Sequence, residues 1–257
     1  MTTSEVAPEA APSGAEPPPH TGSAATRRLG FFAAVAVALM LFFGLYISGP
    51  EVTQGEAVRL FYIHVPTIAA AYLGFFVTLV GSVIYLRTRS QFWDLLAASS
   101  AELGVLFCTF LLVSGALWGK PTWGVYWQWD PRLTSTAVLY VTYIGYLALR
   151  RMELPPEVRS RRAAILGVIS FANVIVVHYS VQWWRGLHQG STLGIDSEIG
   201  GMQYFSFFLG LIAMLLVYAW LLLHRFRVAW LSQQIEELGL ARALAERRAE
   251  TDNGGAF

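Results

Sequence analysis

Residues 204–224 read YFSFFLGLIAMLLVYAWLLLH and contain no aspartate, glutamate, lysine or arginine. At 1.5 Å per residue, a helix of this length crosses the roughly 30 Å hydrocarbon layer of a bilayer. Five further apolar stretches of comparable character precede it, near 29–48, 60–86, 95–117, 134–149 and 163–181. The sequence therefore predicts an all-α, polytopic integral membrane protein with six transmembrane helices.

Composition supports this class and excludes others. Hydrophobic residues make up 55 % of the chain and charged residues 14 %, whereas soluble domains carry about 25 % charged residues. A water-soluble enzyme, a disordered chain and a collagen-like chain are thereby excluded. The net charge of +1 argues against a nucleic-acid partner, which requires a dense cationic surface. Cys108 is the sole cysteine, so neither an internal disulfide nor a CxxC or CxxCH motif can form.

The basic residues predict the orientation of the chain in the membrane. Eleven arginines flank the apolar stretches on one side and four basic residues flank them on the other, which predicts that both termini are cytoplasmic. The connections 49–59, 118–133 and 182–203 then lie outside. The predicted organisation is a disordered cytosolic tail (1–28), a six-helix membrane domain (29–227) and a charged cytosolic C-terminal helix (228–257).

The second outer connection is unusually aromatic. Its sequence from 118 to 132, WGKPTWGVYWQWDPR, holds four of the nine tryptophans. Such rings are typical of the aromatic belt at a membrane surface, but they also suit a platform for a flat apolar ligand such as a porphyrin. Both interpretations stay open on composition alone. Asp130 followed by Pro131 predicts the N-cap and first residue of the fourth helix. The aromatic candidates are Trp118, Trp123, Tyr126, Trp127 and Trp129.

Two histidines are predicted at similar depth, on the same side as this aromatic connection. His64 lies near the outer end of the second helix, and His188 follows the fifth helix by a few residues. Neutral imidazole is the commonest protein ligand of transition metals, haem iron included, although a single interfacial histidine is more often only hydrogen-bonded. Glu102 and His178 are predicted within the membrane, where an ionisable group is either functional or paired across the bundle.

Four basic residues belong to or border the outer connections: Arg59, Lys120, Arg132 and Arg185. They are candidate contacts for the two propionates of a haem, because arginine in particular pairs well with carboxylates. The plainer alternative is that these four are ordinary loop residues, because some positive charge occurs in any loop of such length.

These residues resemble a known family. The stretch WGKPTWGVYWQWDPRLTS is similar to the tryptophan-rich "WWD" signature of haem-handling proteins of cytochrome c maturation, and FYIHVP (61–66) and LHQGST (187–192) resemble the histidine motifs of its CcmC family. The resemblance covers about 29–225. Tyr126 stands where the pattern usually has tryptophan, and Pro131 where small residues also occur.

The resemblance implies a haem-binding platform at the outer face of the bacterial cytoplasmic membrane rather than an enzyme. It assigns His64 and His188 as ligands of the iron of a transient, non-covalent haem b. It makes the connection from Trp118 to Asp130 both the shelter for the haem and the docking site for the haem chaperone CcmE. It further implies a complex with CcmD and with the ABC-transporter pair CcmA and CcmB, to which ATP hydrolysis belongs.

Two other functions are compatible with the residues. One is a membrane b-haem or quinone oxidoreductase, in which the same histidines would serve electron transfer. The other is a transporter that moves haem through its own helices, although no paired Gly/Pro-broken segments mark a midplane site. The favoured hypothesis is that His64 and His188 clamp the iron while Trp123, Trp127 and Trp129 cover the macrocycle edge.

Overall fold

The computed structural model describes residues 22–51, 54–188 and 201–254, with side chains described up to residue 248. The described chain is helical. Its elements are α1 (Ala24–Phe42), which continues into a π-helical turn (Phe43–Ile47), a 3-10 turn (Glu56–Leu60), α2 (Phe61–Thr88), α3 (Gln91–Trp123), α4 (Pro131–Arg150), α5 (Pro156–Trp183) and α6 (Gly201–Gly254).

The prediction of an all-α polytopic membrane protein is confirmed. Of the six described helices, five are long and apolar enough to cross a bilayer. The remaining one, α4, is less apolar because it carries several hydroxyl-bearing and basic side chains. Its tyrosines Tyr143 and Tyr146 are buried in the bundle, whereas Val138 and Val141 point outward. A helix can therefore present an aliphatic face to lipid while its average hydropathy stays modest.

α2 is the central helix of the bundle. It packs against α3, α5 and α6, while α4 packs on α5 and α3, and α1 packs on α6. Phe75 of α2 stacks on Tyr143 of α4 with ring centroids 3.9 Å apart. Because α2 touches most of the other helices, a side chain at its first turns is surrounded by the ends of several elements.

Three boundaries differ from those expected. α1 begins at Ala24, inside the predicted tail, since the Ser23 hydroxyl accepts a hydrogen bond from the Thr26 amide and caps the helix. Residues 1–21 of that tail lie outside the described residues. At the other end of the chain, α6 runs without a break into the predicted charged C-terminal helix. The division of that helix into membrane and cytosolic parts stays a prediction.

The third difference concerns the aromatic connection, whose first six residues are helical. α3 continues to Trp123 and includes Pro121. Proline removes one backbone hydrogen bond, which is tolerable in the last turn of a membrane helix. The helix ends at Gly124, whose φ of +79° is the left-handed conformation that glycine adopts freely at a helix C-terminus. The non-helical part of the connection is thus 124–130.

A buried ion pair joins three helices at the opposite end of the bundle. The guanidinium of Arg150 on α4 donates two hydrogen bonds to the Asp94 carboxylate on α3, at 2.7 and 2.9 Å. The Ser160 hydroxyl on α5 donates a third, at 2.9 Å. This bidentate arrangement satisfies both charges and fixes how α3, α4 and α5 meet.

Candidate functional site

Both candidate histidines lie at one end of the bundle. The first turns of α2 hold His64, the last turns of α3 hold Trp118 and Trp123, the start of α4 holds Asp130, and the segment after α5 holds His188. The two imidazoles contact Trp118 and Trp123, which lie in the last turns of the same helix. Residues 189–192 of the LHQGST motif lie outside the described residues.

The His64 side chain is held against α3. It is buried, with 5 % of the residue exposed. Its Nδ1 atom lies 3.0 Å from the Ser114 hydroxyl oxygen. Its ring meets Trp118 edge-on, with centroids 5.4 Å apart. A Cβ atom at Gly115 would lie 3.0 Å from His64 Cε1, so the glycine leaves the room that the imidazole occupies. We call Ser114, Gly115 and Trp118 the α3 cradle.

Two further contacts hold the Trp118 side chain in place. Its indole Nε1–H donates to the Gln54 side-chain oxygen at 3.1 Å, and its ring packs edge-on against Phe61 at 6.2 Å. The indole is therefore held at its polar end and at its apolar end, and His64 packs against this ring.

Asp130 is the N-cap of α4, as the sequence predicted. Its Oδ1 atom accepts hydrogen bonds from the amides of Arg132 and Leu133, at 2.9 and 3.0 Å. Its Oδ2 atom accepts the His188 amide at 3.2 Å. One buried carboxylate, 4 % exposed, thus starts a helix and holds the segment that carries the second histidine.

This contact depends on a close approach of two backbones. A Cβ atom at Gly186 would lie 2.3 Å from Asp130 Oδ2 and 3.1 Å from Pro131 Cδ. No side chain fits in that space. Gly186 is therefore required for the segment after α5 to reach the start of α4.

The His188 ring packs between an indole and the same carboxylate. Its centroid lies 4.9 Å from that of Trp123 in an edge-on arrangement, and its Nδ1 atom lies 3.7 Å from Asp130 Oδ1. Among the described residues, this buried nitrogen has no hydrogen-bond partner. Burial lowers the pKa of His188 to about 4; Asp130 raises it and Arg132 lowers it by smaller amounts. The imidazole is therefore neutral near pH 7.

The four predicted propionate contacts differ in position. Arg132 interacts electrostatically with both His64 and His188, and its guanidinium donates to the His178 carbonyl at 3.2 Å. Arg59 pairs with Glu56 and donates to the Leu45 carbonyl in the π-helical turn that follows α1. Arg132 is therefore the basic side chain that the fold places at the histidine pair.

Lys120 and Arg185 are both exposed. The Lys120 ammonium group donates to the Gly124 carbonyl at 2.9 Å and lies 5.3 Å from the centre of the Tyr126 ring. Arg185 is exposed, two residues beyond the end of α5 at Trp183. Both remain on the surface of this end of the bundle.

The predicted aromatic residues divide into two groups. Trp118 and Trp123 contact the histidines, whereas Tyr126, Trp127 and Trp129 are exposed, Trp129 at 76 %. The last two contact each other edge-on, 5.6 Å apart. The exposed group forms an aromatic surface beside the histidine pair.

The two intramembrane candidates lie outside this site. The Glu102 carboxylate on α3 pairs with the Arg225 guanidinium on α6, with one hydrogen bond of 2.7 Å. His178 on α5 is exposed and its ring contacts Tyr72 and Tyr179. The structure therefore pairs Glu102 across the bundle, which was one of the expected alternatives.

No sequence pattern singled out Ser114, Gly115 or Gly186. The pair Ser114–Gly115 lies one turn before Trp118 in an apolar stretch of α3, and small residues in membrane helices indicate close approach of another element. That signal identifies a contact face but does not name the side chain that fills it.

Two imidazoles from different elements, each packed against an indole, lie at one end of the bundle, and imidazole is the side chain that most often binds haem iron. The fold and the site thus define a polytopic α-helical membrane protein with a histidine and tryptophan site at one end. The chain belongs to the heme exporter protein C family, whose model matches residues 18–241.

Curated relatives carry the same name. The chain is 38 % identical over 176 residues to heme exporter protein C of Bradyrhizobium diazoefficiens, covering 66 % of each chain. It is 36 % identical over 165 residues to that of Escherichia coli K12, covering 64 % of this chain and 67 % of the relative. It is 31 % identical over 206 residues to that of Haemophilus influenzae, covering 79 % and 83 %. The matched stretches span about two thirds or more of these relatives.

Proposed function

We propose that this protein handles haem for cytochrome c maturation by binding haem b transiently between His64 and His188 and presenting it to the haem chaperone CcmE. The observation that carries the proposal is the convergence of the two histidines from separate elements on one end of the bundle, beside Trp118 and Trp123. The chain acts as a binding and transfer component, and no reaction of its own is required.

The residues present fit a haem. His64 is buried and His188 is partly buried, and each imidazole packs against an indole. The Asp130 carboxylate accepts the His188 backbone amide, which fixes the position of the segment that carries this imidazole. Arg132 supplies a positive charge next to both rings, which would attract a propionate.

The excess of arginines at the opposite end of the helices favours a position of this site on the external face of the bacterial cytoplasmic membrane. There the exposed residues Tyr126, Trp127 and Trp129 offer an aromatic surface directly beside the histidine pair. Aromatic residues are enriched at protein–protein interfaces relative to the rest of the surface. This surface would meet the chaperone, and the complex would include CcmA, CcmB and CcmD.

Transfer of haem to the chaperone is the direct test. Membranes that contain the whole complex are prepared with His64→Ala, His188→Ala or His178→Ala, and covalent haem on the chaperone is measured by its peroxidase stain. His178→Ala is the matched control, because this histidine lies at the same end of α5 but is exposed and outside the site.

We expect the two site variants to lose chaperone loading and the control to retain it, at equal amounts of membrane-inserted protein. Loading at the wild-type level in both His64→Ala and His188→Ala would contradict the proposal. Quinol-driven reduction of a haem that stays bound through many turnovers would favour the oxidoreductase alternative instead.

A further inference from the structure

The Ser114 hydroxyl lies between the Leu111 carbonyl of its own helix and the candidate iron ligand His64. Its oxygen lies 3.0 Å from His64 Nδ1, and it also donates to the Leu111 carbonyl, one turn earlier in α3, at 3.2 Å. Such bonds from serine to the preceding turn of its own helix are common in apolar surroundings.

The Ser114 hydroxyl has a single hydrogen, and this decides which atom donates in its hydrogen bond with His64. A serine hydroxyl has one hydrogen and two acceptor lone pairs. If that hydrogen points to the Leu111 carbonyl, the contact with His64 can only run from the imidazole N–H to the serine oxygen. Nδ1 of His64 then carries the ring proton, and Nε2 carries the lone pair.

The other members of the α3 cradle keep the ring in this orientation. Gly115 leaves a gap that accepts the Cε1 edge of the ring, and Trp118 packs edge-on against it. Rotating the imidazole by half a turn would remove Nδ1 from the hydroxyl.

We propose that Ser114 is a positioning residue that fixes His64 in the Nδ1–H tautomer, so that Nε2 is the nitrogen available to iron. This inference rests on the proposed function for its purpose, but the tautomer itself is a property of the protein alone. A ligating histidine that donates its other N–H to an oxygen is held in orientation and made more basic.

The first experiment uses the full-length chain in detergent without haem. The histidines are labelled with 15N, and a long-range 1H–15N correlation spectrum reports which ring nitrogen carries the proton. The His64 signals are assigned from their loss in His64→Gln. We expect a protonated Nδ1 and an unprotonated Nε2 in wild type and in Ser114→Thr, which keeps the hydroxyl. In Ser114→Ala we expect loss of this single-tautomer pattern.

An Nε2–H tautomer in the wild-type protein would overturn the inference, as would an unchanged pattern in Ser114→Ala. Neither result depends on haem, so the failure of this inference is distinguishable from failure of the proposed function.

The second experiment measures the consequence for the ligand. Haem affinity of the purified chain is titrated for wild type, Ser114→Ala and Ser114→Thr. Loss of such a hydrogen bond typically lowers metal affinity about 10- to 100-fold. We therefore expect that loss in Ser114→Ala, a higher haem reduction potential in the same variant because its ligand is less basic, and recovery of both values in Ser114→Thr. Equal affinities and potentials in all three proteins would contradict the positioning role.

Discussion

Asp130 Oδ2 accepts the His188 amide while Oδ1 of the same carboxylate caps α4. The aspartate of the aromatic signature therefore links the start of α4 to the segment that carries the second histidine. A suitable substitution of Asp130 can therefore separate its effect on the stability of α4 from its effect on the position of His188.

Asp130→Asn should make that separation visible. Asparagine caps helices about as well as aspartate, but it has one acceptor oxygen, and its amide nitrogen only donates. We expect a melting temperature in detergent close to that of wild type, together with a roughly 10-fold or greater loss of haem affinity. Asp130→Ala should lose haem affinity and also about 1 kcal/mol of stability. Full haem affinity in Asp130→Asn would show that the contact with His188 is dispensable.

Gly186→Ala tests the close approach of the same two segments. The added Cβ would lie 2.3 Å from Asp130 Oδ2, so the segment after α5 must move away and take His188 with it. We expect loss of haem binding in the purified protein without loss of membrane insertion. Gly145→Ala on α4 is the matched control, because a Cβ atom there meets nothing within 4 Å. If the two alanine variants bind haem equally, the close approach of Gly186 to Asp130 is not needed for function.

The His188 imidazole should take up its proton only at an unusually low pH. Its pKa is lowered from 6.5 to about 4 by burial, so between these values the unfolded chain binds a proton that the folded chain does not. This group's contribution to the free energy of unfolding should therefore fall as pH falls from 6.5 towards 4. An NMR titration of the haem-free protein should show a midpoint near 4 for His188. A midpoint at 6.5 would mean that the ring is solvated rather than packed on Trp123.

The ion pair at the far end of the bundle should matter for stability alone. Removing one partner of a buried pair leaves an uncompensated charge and costs about 3–5 kcal/mol. We expect Arg150→Met to lower the melting temperature of the haem-free protein strongly. Asp94→Leu combined with Arg150→Met should recover part of the loss, since neither charge then remains buried. The spectrum of bound haem should be the same in every variant that folds; an altered spectrum would show coupling between the two ends.

Much of the helical framework could be predicted from the chain because apolar length and helix geometry are local properties. Each of the six predicted stretches overlaps one of the six described helices, and the cap at Asp130 follows from its own side chain and Pro131. The end of α3 could not be placed, since Gly119 and Pro121 suggest a break that the last turn of an apolar helix tolerates.

The site was predictable only in part. Ligand chemistry identifies His64 and His188 as candidates, and both lie at one end of the bundle. The roles of Ser114, Gly115 and Gly186 arise from contacts between elements far apart in sequence. No local pattern reveals which histidine a serine on another helix will face, so the α3 cradle became visible only in three dimensions.

The central claim, that His64 and His188 share one iron atom, is tested most directly by the electron paramagnetic resonance spectrum of ferric haem bound to the purified chain. We predict a low-spin bis-histidine signal in wild type and in His178→Ala, and its replacement by a high-spin signal or by haem loss in His64→Ala and in His188→Ala. An unchanged low-spin signal in either of the last two variants would contradict the claim.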